Sequence, residues 1–405
     1  MSPGRSKTVD RVLRGELCTG CGLCAAVSDG AITMSSQTGF SRPVQHGAVP
    51  AAAERVIAEA CPGSVVAAWG QAPNTHPYWG PWWRVATGHS TDEAIRFQAS
   101  SGGALTGLAV YALTSGLVDR VVHVKADPDD PTGNVVTVSS SPAEILAGAG
   151  SRYAASSPLA GLEAVLSDKG AFAFIGKPCD VSALRRLARL DPRIDRHVPL
   201  TLAFFCAGIP NQRGVRNVLK AMEIAPDELT SFRYRGHGWP GAAVAVAADG
   251  RVARMSYARS WGEHLSPELQ FRCKICPDAV GGSADIAFAD AWECDERGYP
   301  IMEERDGRSL IVTRTEVGDR FLTEALAAGA VEMTPLAAEE IDSMQPHQAR
   351  RKRAARARMA ALAVTLRPAP DATGTFVEAA ARRGSVQGQL RDFLGTIRRV
   401  LIRRL

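Results

Sequence analysis

The cysteines near the start of the chain are the residues whose spacing most clearly predicts chemistry. Cys18, Cys21 and Cys24 form a C-x2-C-x2-C run, and Cys61, which is followed by proline, supplies a fourth thiol. Two intervening residues let successive thiolates converge on one small object, and the glycines within the run let the backbone wrap closely around it. The sequence therefore predicts that these four thiolates bind one metal centre.

Four thiolates suit two kinds of centre, a 4Fe–4S cluster and tetrahedral zinc. Zinc sites usually present C-x2-C pairs, whereas a triplet with one remote Cys-Pro is the iron–sulfur pattern. In two-cluster ferredoxins a nearby Cys-Pro serves the other cluster, but here Ser-Asp stands at that place, residues 28–29. We therefore predict a single 4Fe–4S cluster here, on Cys18, Cys21, Cys24 and Cys61.

The five remaining cysteines leave two interpretations open. Cys179 and Cys206 follow strand-like apolar runs, and Cys273 and Cys276 form a C-x2-C pair, so these four could make a second four-thiolate site. The alternative is that they are ordinary buried thiols, because free cysteine is among the most buried residue types. Spacing alone does not decide between the two. Cys294 belongs to neither pattern.

Two short motifs predict a cofactor site outside the cysteines. Residues 100–103 (SSGG) precede an apolar helix-like run, where small residues expose backbone N–H groups that can cradle a phosphate. A serine N-cap followed by glycines is also a common helix start. Residues 176–180 (GKPCD) lie at the carboxyl end of a predicted strand, where open α/β sheets bind ligands, and Asp180 is the expected N-cap of the next helix. The candidate cofactor-binding residues are Ser100, Ser101, Gly102, Gly103, Gly176 and Lys177.

Weaker candidates are Arg233, Arg235 and Gly236 in FRYRGHGWPG, Lys274 beside the C-x2-C pair, and Asp285 and Asp290 in SADIAFADAW. The arginines could hold a diphosphate or an acidic substrate, or they could lie on the surface of a strand. His123 has no partner at metal-ligand spacing, so we interpret it as structural or solvent-facing.

The elements around these residues indicate four parts. The 45% hydrophobic and 22% charged residues are typical of a globular protein and exclude a disordered chain or a small disulfide scaffold. Residues 85–345 alternate strands and helices, which predicts an α/β fold with α+β elements. Residues 1–70 form a ferredoxin-like cysteine module, and residues 71–84 are a Pro/Trp-rich linker or packing strap. Residues 346–405 form a helical tail.

The tail carries the positive charge of the protein. Residues 345–405 have 14 Lys and Arg against 3 Asp and Glu, a net charge of +11, which leaves −6 for residues 1–344. We expect helices at Gln348–Met359 and Gln387–Leu405. The second is basic and amphipathic, so it could bind an anionic membrane surface or a partner, or pack on the protein's own body. Its apolar stripe is Leu390, Phe393, Leu394, Ile397, Val400, Leu401 and Leu405.

No apolar run reaches the about 18 residues that span a bilayer, and the N-terminus lacks the apolar core of a signal peptide. We therefore expect a cytoplasmic protein, held at the inner membrane surface if the tail binds lipid. In a reducing compartment spaced cysteines are more often metal ligands or catalytic groups than disulfides.

Seven motifs together resemble one known family. They are, in order, ASSGGALTGL, GSRYAA, GKPCDVSALR, FFCAGIP, FRYRGHGWPG, RCKICPDAVGGSADIAFADAW and GRSLIVTRTEVG. Over roughly residues 10–345 the chain resembles the beta subunit of coenzyme F420 hydrogenase/dehydrogenase, a family that includes 7-hydroxymethyl chlorophyll a reductase and the iron–sulfur divinyl chlorophyllide reductases. The tail departs from the family pattern.

The resemblance implies an iron–sulfur flavoprotein that holds FAD on its α/β body. By position, residues 100–103 match part of the flavin site, and the turn at 176–179 is expected near the cofactor. Cys179, Cys206, Cys273 and Cys276 match the ligands of a second 4Fe–4S cluster in the chlorophyll-reductase branch. Cys294 has no match, although it could substitute for one of the four. The family name is weak evidence for F420 itself.

We therefore predict an oxidoreductase that moves electrons between 4Fe–4S clusters, FAD and an organic substrate or an F420-like deazaflavin, in either direction. Ferredoxin or a redox partner subunit is the expected electron partner, and no catalytic residue is assigned. One alternative is an electron-transfer subunit with no substrate of its own. Another is a zinc-stabilised nucleic-acid-binding module, which the acidic body disfavours, so nucleic acid is not an expected partner.

Overall fold

A computed structural model describes residues 4–295 and 300–403 of the chain. The strands are β1 (Ile32–Ser35), β2 (Arg42–Gln45), β3 (Asn74–His76), β4 (Gly80–Trp82), β5 (Arg84–Ser90), β6 (Arg120–Ala126), β7 (Asn134–Ser139), β8 (Phe172–Gly176), β9 (Leu200–Phe204), β10 (Leu229–Arg233), β11 (Ala243–Ala247), β12 (Val252–Met255), β13 (Ile286–Asp290), β14 (Ser309–Thr313) and β15 (Val331–Pro335).

The helices are α1 (Lys7–Arg14), α2 (Leu23–Ala26), α3 (Ala51–Ala60), α4 (Glu93–Gln98), α5 (Ala104–Thr114), α6 (Pro142–Ala147), α7 (Leu162–Ser167), α8 (Pro178–Ala188), α9 (Arg193–His197), α10 (Gln212–Ala221), α11 (Tyr257–Arg259), α12 (Phe271–Lys274), α13 (Glu316–Ala327), α14 (Ile341–Met344), α15 (Pro346–Val364), α16 (Val377–Arg382) and α17 (Val386–Arg403). A π-helical turn covers Ser260–Leu265.

The body is built on a mixed eight-stranded sheet, which confirms the α/β prediction. The strand order is β15-β5-β14-β13-β9-β8-β6-β7. The four strands β13, β9, β8 and β6 are parallel to one another, and the strands on both flanks are antiparallel. Because parallel neighbours end at the same edge of a sheet, the residues that follow β8, β9 and β13 come together there.

Apolar residues cover both faces of this sheet. Leu108 of α5 and Leu322 of α13 share one apolar cluster with Ile286 of β13. A second cluster joins Phe174 of β8 to Val181 of α8. Every residue of β8 is buried, as expected of a parallel strand with a layer on each side. The result is a three-layer body whose sheet edge is fixed by packing on both faces.

Smaller sheets surround this body. β10, β11 and β12 form an antiparallel sheet, and β11 and β12 form a hairpin around residues 249–250. In the Pro/Trp-rich segment, β3 and β4 pair, and Tyr78 and Trp79 enter the apolar cluster beneath β14. That segment is therefore packed against the body, whereas the predicted domain boundaries stay a prediction.

The tail is helical, as predicted, and part of it packs on the protein's own body, whereas Leu390, Leu394 and Leu401 of the predicted stripe are exposed. α15 contacts both α16 and α17, and Leu362 and Val400 lie in one apolar cluster with Cys18. Leu405 of the predicted stripe lies outside the described residues. No helix in the described part of the chain combines the length and the apolar character needed to cross a bilayer.

Candidate functional site: two cysteine sets and a cavity

The first cysteine set, Cys18, Cys21, Cys24 and Cys61, is built from one loop and two helix ends. Cys18 and Cys21 lie in the loop before α2, Cys24 lies within α2, and Cys61 follows the last residue of α3. Gly22 has φ of +87°, and a Cβ there would lie 2.6 Å from the backbone nitrogen of residue 160. Only glycine fits that position, so the close approach of this loop to residue 160 depends on it.

The thiols of the first set lie close enough to affect one another's ionisation. Burial raises the pKa of Cys61 to about 11, and the neighbouring Cys18 adds to the increase while Arg272 opposes it. Burial, Cys61 and Cys18 together raise the pKa of Cys24. Cysteines with raised pKa values are poor nucleophiles, so this set does not resemble the activated thiol of a catalytic site. Metal ligation, which offsets the cost of deprotonation, suits it better.

The second cysteine set, Cys179, Cys206, Cys273 and Cys276, is assembled by the sheet. Cys179 begins α8 after β8, and Cys206 follows β9, so adjacent parallel strands bring both to one edge. Cys273 and Cys276 lie in and just after α12. Burial is the main reason that the pKa of Cys206 is raised to about 12, and the nearby Cys273 and Cys276 add smaller increases.

The environment of Cys273 fits a metal-bound sulfur. The N–H of Ile209 and the side-chain amide of Gln270 each donate to its Sγ, both at 3.4 Å. Gly208 has φ of +118°, and a Cβ there would lie 3.0 Å from the Cβ of Cys273. Hydrogen bonds to sulfur and a close glycine backbone are features of iron–sulfur ligation.

Two buried charged residues connect the two sets. Arg272 stands one residue before Cys273, is 2% exposed, and donates to the carbonyl of Pro62, one residue after Cys61, at 3.1 Å. The carboxylate of Asp180 contributes to raising the pKa of both Cys21 and Cys179, after burial in each case. The two sets are therefore neighbours.

A cavity of about 290 Å³ lies at the carboxyl edge of the parallel strands. This volume is close to the lower limit of pockets that enclose an organic ligand, about 300–1000 Å³. Cys206 of the second set forms part of its wall. Of the predicted cofactor-binding residues, those in its lining are Ser100, Ser101, Gly103 and Lys177. The cavity therefore adjoins the second set.

Gly102 and Gly176 are not part of the cavity lining. A Cβ on Gly102 would lie 2.7 Å from the backbone nitrogen of Ser309, and one on Gly176 would lie 2.7 Å from the ring of Phe174. Both glycines are explained by close packing behind the wall. Gly103, with φ of +73°, is the N-cap of α5, so the predicted helix start at the cavity is confirmed.

The N-cap of α8 is Lys177, which corrects the sequence-based expectation that Asp180 would cap it. Asp180 instead stands in the first turn and accepts a hydrogen bond from the backbone N–H of Lys177 at 3.0 Å. The Lys177 ammonium lies 2.7 Å from the same carboxylate. Burial disfavours the charged lysine, but Asp180 outweighs that cost and raises the pKa of Lys177.

The cavity wall also contains an arginine that the sequence indicated only weakly. Arg235 is 2% exposed, donates to both oxygens of Asp290 at 2.7 and 2.8 Å, and lies over the rings of Tyr257 and Trp292. All four residues line the cavity. Aromatic residues remote in sequence, such as Tyr257 and Trp292, gave no spacing signal. His123 also lines the cavity, and its Nε2 lies 2.8 Å from the Ser139 hydroxyl.

The tail also contributes to the site, which its sequence did not predict. Gln345 and Gln348, next to and within α15, line the cavity. The side-chain amide of Gln348 donates to the carbonyl of Cys206 at 3.2 Å, and that of Gln345 donates to the carbonyl of Asp290 at 2.7 Å. The composition of a basic tail contains no signal for such contacts.

Cys294 stands apart from these groups. Its thiol donates to the carbonyl of Ser343 at 2.7 Å, and burial raises its pKa. Within residues 4–295 and 300–403, no three His, Cys, Asp or Glu side chains converge closely enough to ligate a single metal ion.

The fold and the site together define an α/β protein with two neighbouring four-cysteine sets and a small cavity at the edge of its sheet. Two family profiles match the chain: "Coenzyme F420 hydrogenase/dehydrogenase, beta subunit N-term" over residues 85–163, and the profile for the carboxyl-terminal part of that same beta subunit over residues 170–339. Together they cover more than half of the chain. The chain therefore belongs to the coenzyme F420 hydrogenase/dehydrogenase beta subunit family, which confirms the resemblance.

Individual relatives agree with this. The chain is 28% identical over 277 residues to the coenzyme F420 hydrogenase subunit beta of Methanosarcina barkeri, covering 64% of this chain and 84% of that protein. It is 38% identical over 236 residues to the F420-dependent formate dehydrogenase subunit beta of Methanocaldococcus jannaschii, covering 54% and 59%. A chain of the F420-reducing [NiFe] hydrogenase complex from Methanosarcina barkeri has the same fold, with a TM-score of 0.53, 24% identity and coverage of 68% and 91%.

Proposed function

We propose that this protein is an iron–sulfur flavoprotein oxidoreductase in which two 4Fe–4S clusters connect an electron partner to FAD in the cavity. The observation that carries the proposal is the adjacency of the three sites: Arg272 joins the two cysteine sets, and Cys206 belongs to both the second set and the cavity wall. Family membership favours this interpretation over a zinc-stabilised nucleic-acid-binding module.

The donor sets fit clusters better than they fit zinc. A C-x2-C-x2-C triplet with one remote Cys-Pro is the iron–sulfur pattern, whereas zinc sites usually present C-x2-C pairs. Buried, mutually repelling thiols such as Cys24 and Cys61 need a cationic centre to ionise, which either metal would supply, so the choice of iron rests on the spacing and on the family.

The cavity fits a flavin in the chemistry of its walls. The start of α5 at Gly103 presents backbone N–H groups suited to a phosphate. Lys177 adds an ammonium that can donate a hydrogen bond although it is ion-paired with Asp180, and Tyr257 and Trp292 offer aromatic surfaces for a flat ring. A bound flavin would exchange two electrons with an organic substrate and single electrons with iron–sulfur centres.

The residues of this chain would orient the cofactor and exclude water. Arg235 is held by Asp290 and by two aromatic rings, so that wall is rigid. One hydride is equivalent to two electrons and one proton, and bound clusters and flavin would supply that electron chemistry. The flow can run in either direction.

The partner and the substrate follow from the relatives. Because two of them are named F420 hydrogenase and F420-dependent formate dehydrogenase subunits, we propose a redox partner subunit or ferredoxin as the electron partner and an F420-like deazaflavin or another organic substrate. An electron-transfer subunit without its own substrate is the second candidate, favoured by the same names. Membrane-surface binding by the tail stays a prediction.

The direct test is anaerobic purification of the full chain, followed by iron, sulfide and flavin assays. We expect about eight iron atoms per chain and one FAD. Cys61→Ala and Cys276→Ala should each halve the iron, and Cys294→Ala, outside both sets, should leave it unchanged. Zinc instead of iron, or a colourless protein, would contradict the proposal. Reduction of FAD by dithionite but not by any deazaflavin would favour the second candidate.

A further inference from the structure

The described part of α15 covers the second cysteine set with donor side chains. Gln348, Arg351, Lys352 and Arg358 each donate to a backbone carbonyl of a segment that carries one of its cysteines. The acceptors are Cys206 for Gln348, Cys206 and Ala207 for Arg351, Pro277 for Lys352, and Lys274 for Arg358. The basic tail thus forms one wall of the second set, although it lies outside both family profiles.

Arg351 brings a fixed positive charge to this wall. Its guanidinium donates to the carbonyl of Cys206 at 3.0 Å and to that of Ala207 at 2.6 Å. These two hydrogen bonds hold the charge beside the segment that carries Cys206. Guanidinium stays protonated at all working pH values.

Arg272 brings a second guanidinium to the second set, and it is shared with the first set through its hydrogen bond to the carbonyl of Pro62. Lys177 is neutralised by Asp180 at 2.7 Å. Burial lowers the pKa of Lys352 to about 7, so its charge is not fixed. Asp278, two residues after Cys276, brings a negative charge that opposes the arginines.

We propose that α15 raises the reduction potential of the second cluster through the Arg351 guanidinium, so that the tail tunes the cluster next to the cavity. Reduction adds one electron and therefore one negative charge to the cluster, and a nearby cation stabilises that charge. Arg351 acts only by placing a charge near the cluster, so it is a positioning residue and not a catalytic one. The inference rests on the proposed function, because it requires the second cluster.

The test is an anaerobic redox titration followed by electron paramagnetic resonance, with each signal assigned by Cys61→Ala and Cys276→Ala. In Arg351→Gln, which keeps a donor for the Cys206 carbonyl, we expect the equilibrium constant for reducing the second cluster to fall about tenfold, which is about 59 mV for one electron. The first cluster should keep its midpoint. Arg351→Lys, which keeps the charge, should stay within about threefold of the unmodified protein.

The matched control is Arg350→Gln, which removes the same charge from an exposed position on the same helix and should leave both midpoints unchanged. An unshifted second midpoint in Arg351→Gln, or an equal shift in Arg350→Gln, overturns the inference. If Arg351→Gln loses the second cluster, Arg351→Lys becomes the deciding variant. An Arg351→Lys protein that keeps its iron but has a lowered midpoint for the second cluster also overturns the inference, because the charge is still present. Only four iron atoms in the unmodified protein would instead contradict the proposed function.

Discussion

The first cysteine set takes all its thiols from residues 18–61, whereas the second collects them from the ends of two strands, a short helix and the loop after it, across residues 179–276. The first is enclosed by its own loop, in which Gly22 has a positive φ. The second is enclosed by distant parts of the chain, including α15. A local set depends on backbone conformation, and a set built by the sheet depends on tertiary contacts.

This difference predicts unequal sensitivity to change. Residues that hold the sheet edge together should affect the second set and the cavity more than the first set. Residues shared by both sets, Asp180 and Arg272, should affect both. Three measurements test this comparison.

The largest effect is expected from Asp180→Asn at the junction of the two sets. Asp180 is fully buried and pairs with the buried Lys177. Its replacement leaves the lysine charge without compensation, which typically costs about 3–5 kcal/mol. We expect the free energy of unfolding in urea to fall by that amount, whereas Asp195→Asn at an exposed position should change it by less than about 0.5 kcal/mol. Equal urea midpoints of unfolding for Asp180→Asn and Asp195→Asn would contradict the prediction that Asp180 stabilises the junction of the two sets.

An effect of intermediate size, on stability at acidic pH, should distinguish the cavity wall from the first set. His123 lies on β6 in the cavity wall, and burial lowers its pKa to about 4. The unfolded histidine titrates near 6.5, so between these values the unfolded chain binds a proton that the folded chain does not. Stability should therefore fall as the pH drops from about 6.5 towards 4, by about 2 kcal/mol at about pH 5.

Unfolding of His123→Gln at pH 7 and at pH 5 checks this prediction. The variant should lose about 2 kcal/mol less than the unmodified protein on acidification. His46→Gln, a substitution at an exposed histidine near the first set, is the control. A pH dependence that is the same in His123→Gln as in the unmodified protein would show that this wall does not control the acid response.

The contrast between the sets also explains what the sequence could predict. The strand–helix alternation is a local pattern, so periodicity was sufficient to predict the sheet. The first set is also a local pattern that spacing alone could propose, and the cluster on Cys18, Cys21, Cys24 and Cys61 stays a prediction. The second set stayed undecided on spacing, because the proximity of Cys206 to Cys276 requires the strand order. The contacts of Arg351 were out of reach for the same reason: charge density in a helix does not say which surface it covers.

The smallest effect is expected from Arg272→Gln, and it tests whether the two sets share one electrostatic environment. Burial raises the pKa of both Cys61 and Cys276, and the Arg272 guanidinium acts in the opposite direction on both. Its loss should lower the reduction potential of both clusters by similar amounts, about 1 kcal/mol or about fivefold in each equilibrium constant. Arg272→Lys, which keeps the charge, should restore both midpoints. A shift in only one cluster would show that the sets are electrostatically separate, in which case Asp180 alone connects them.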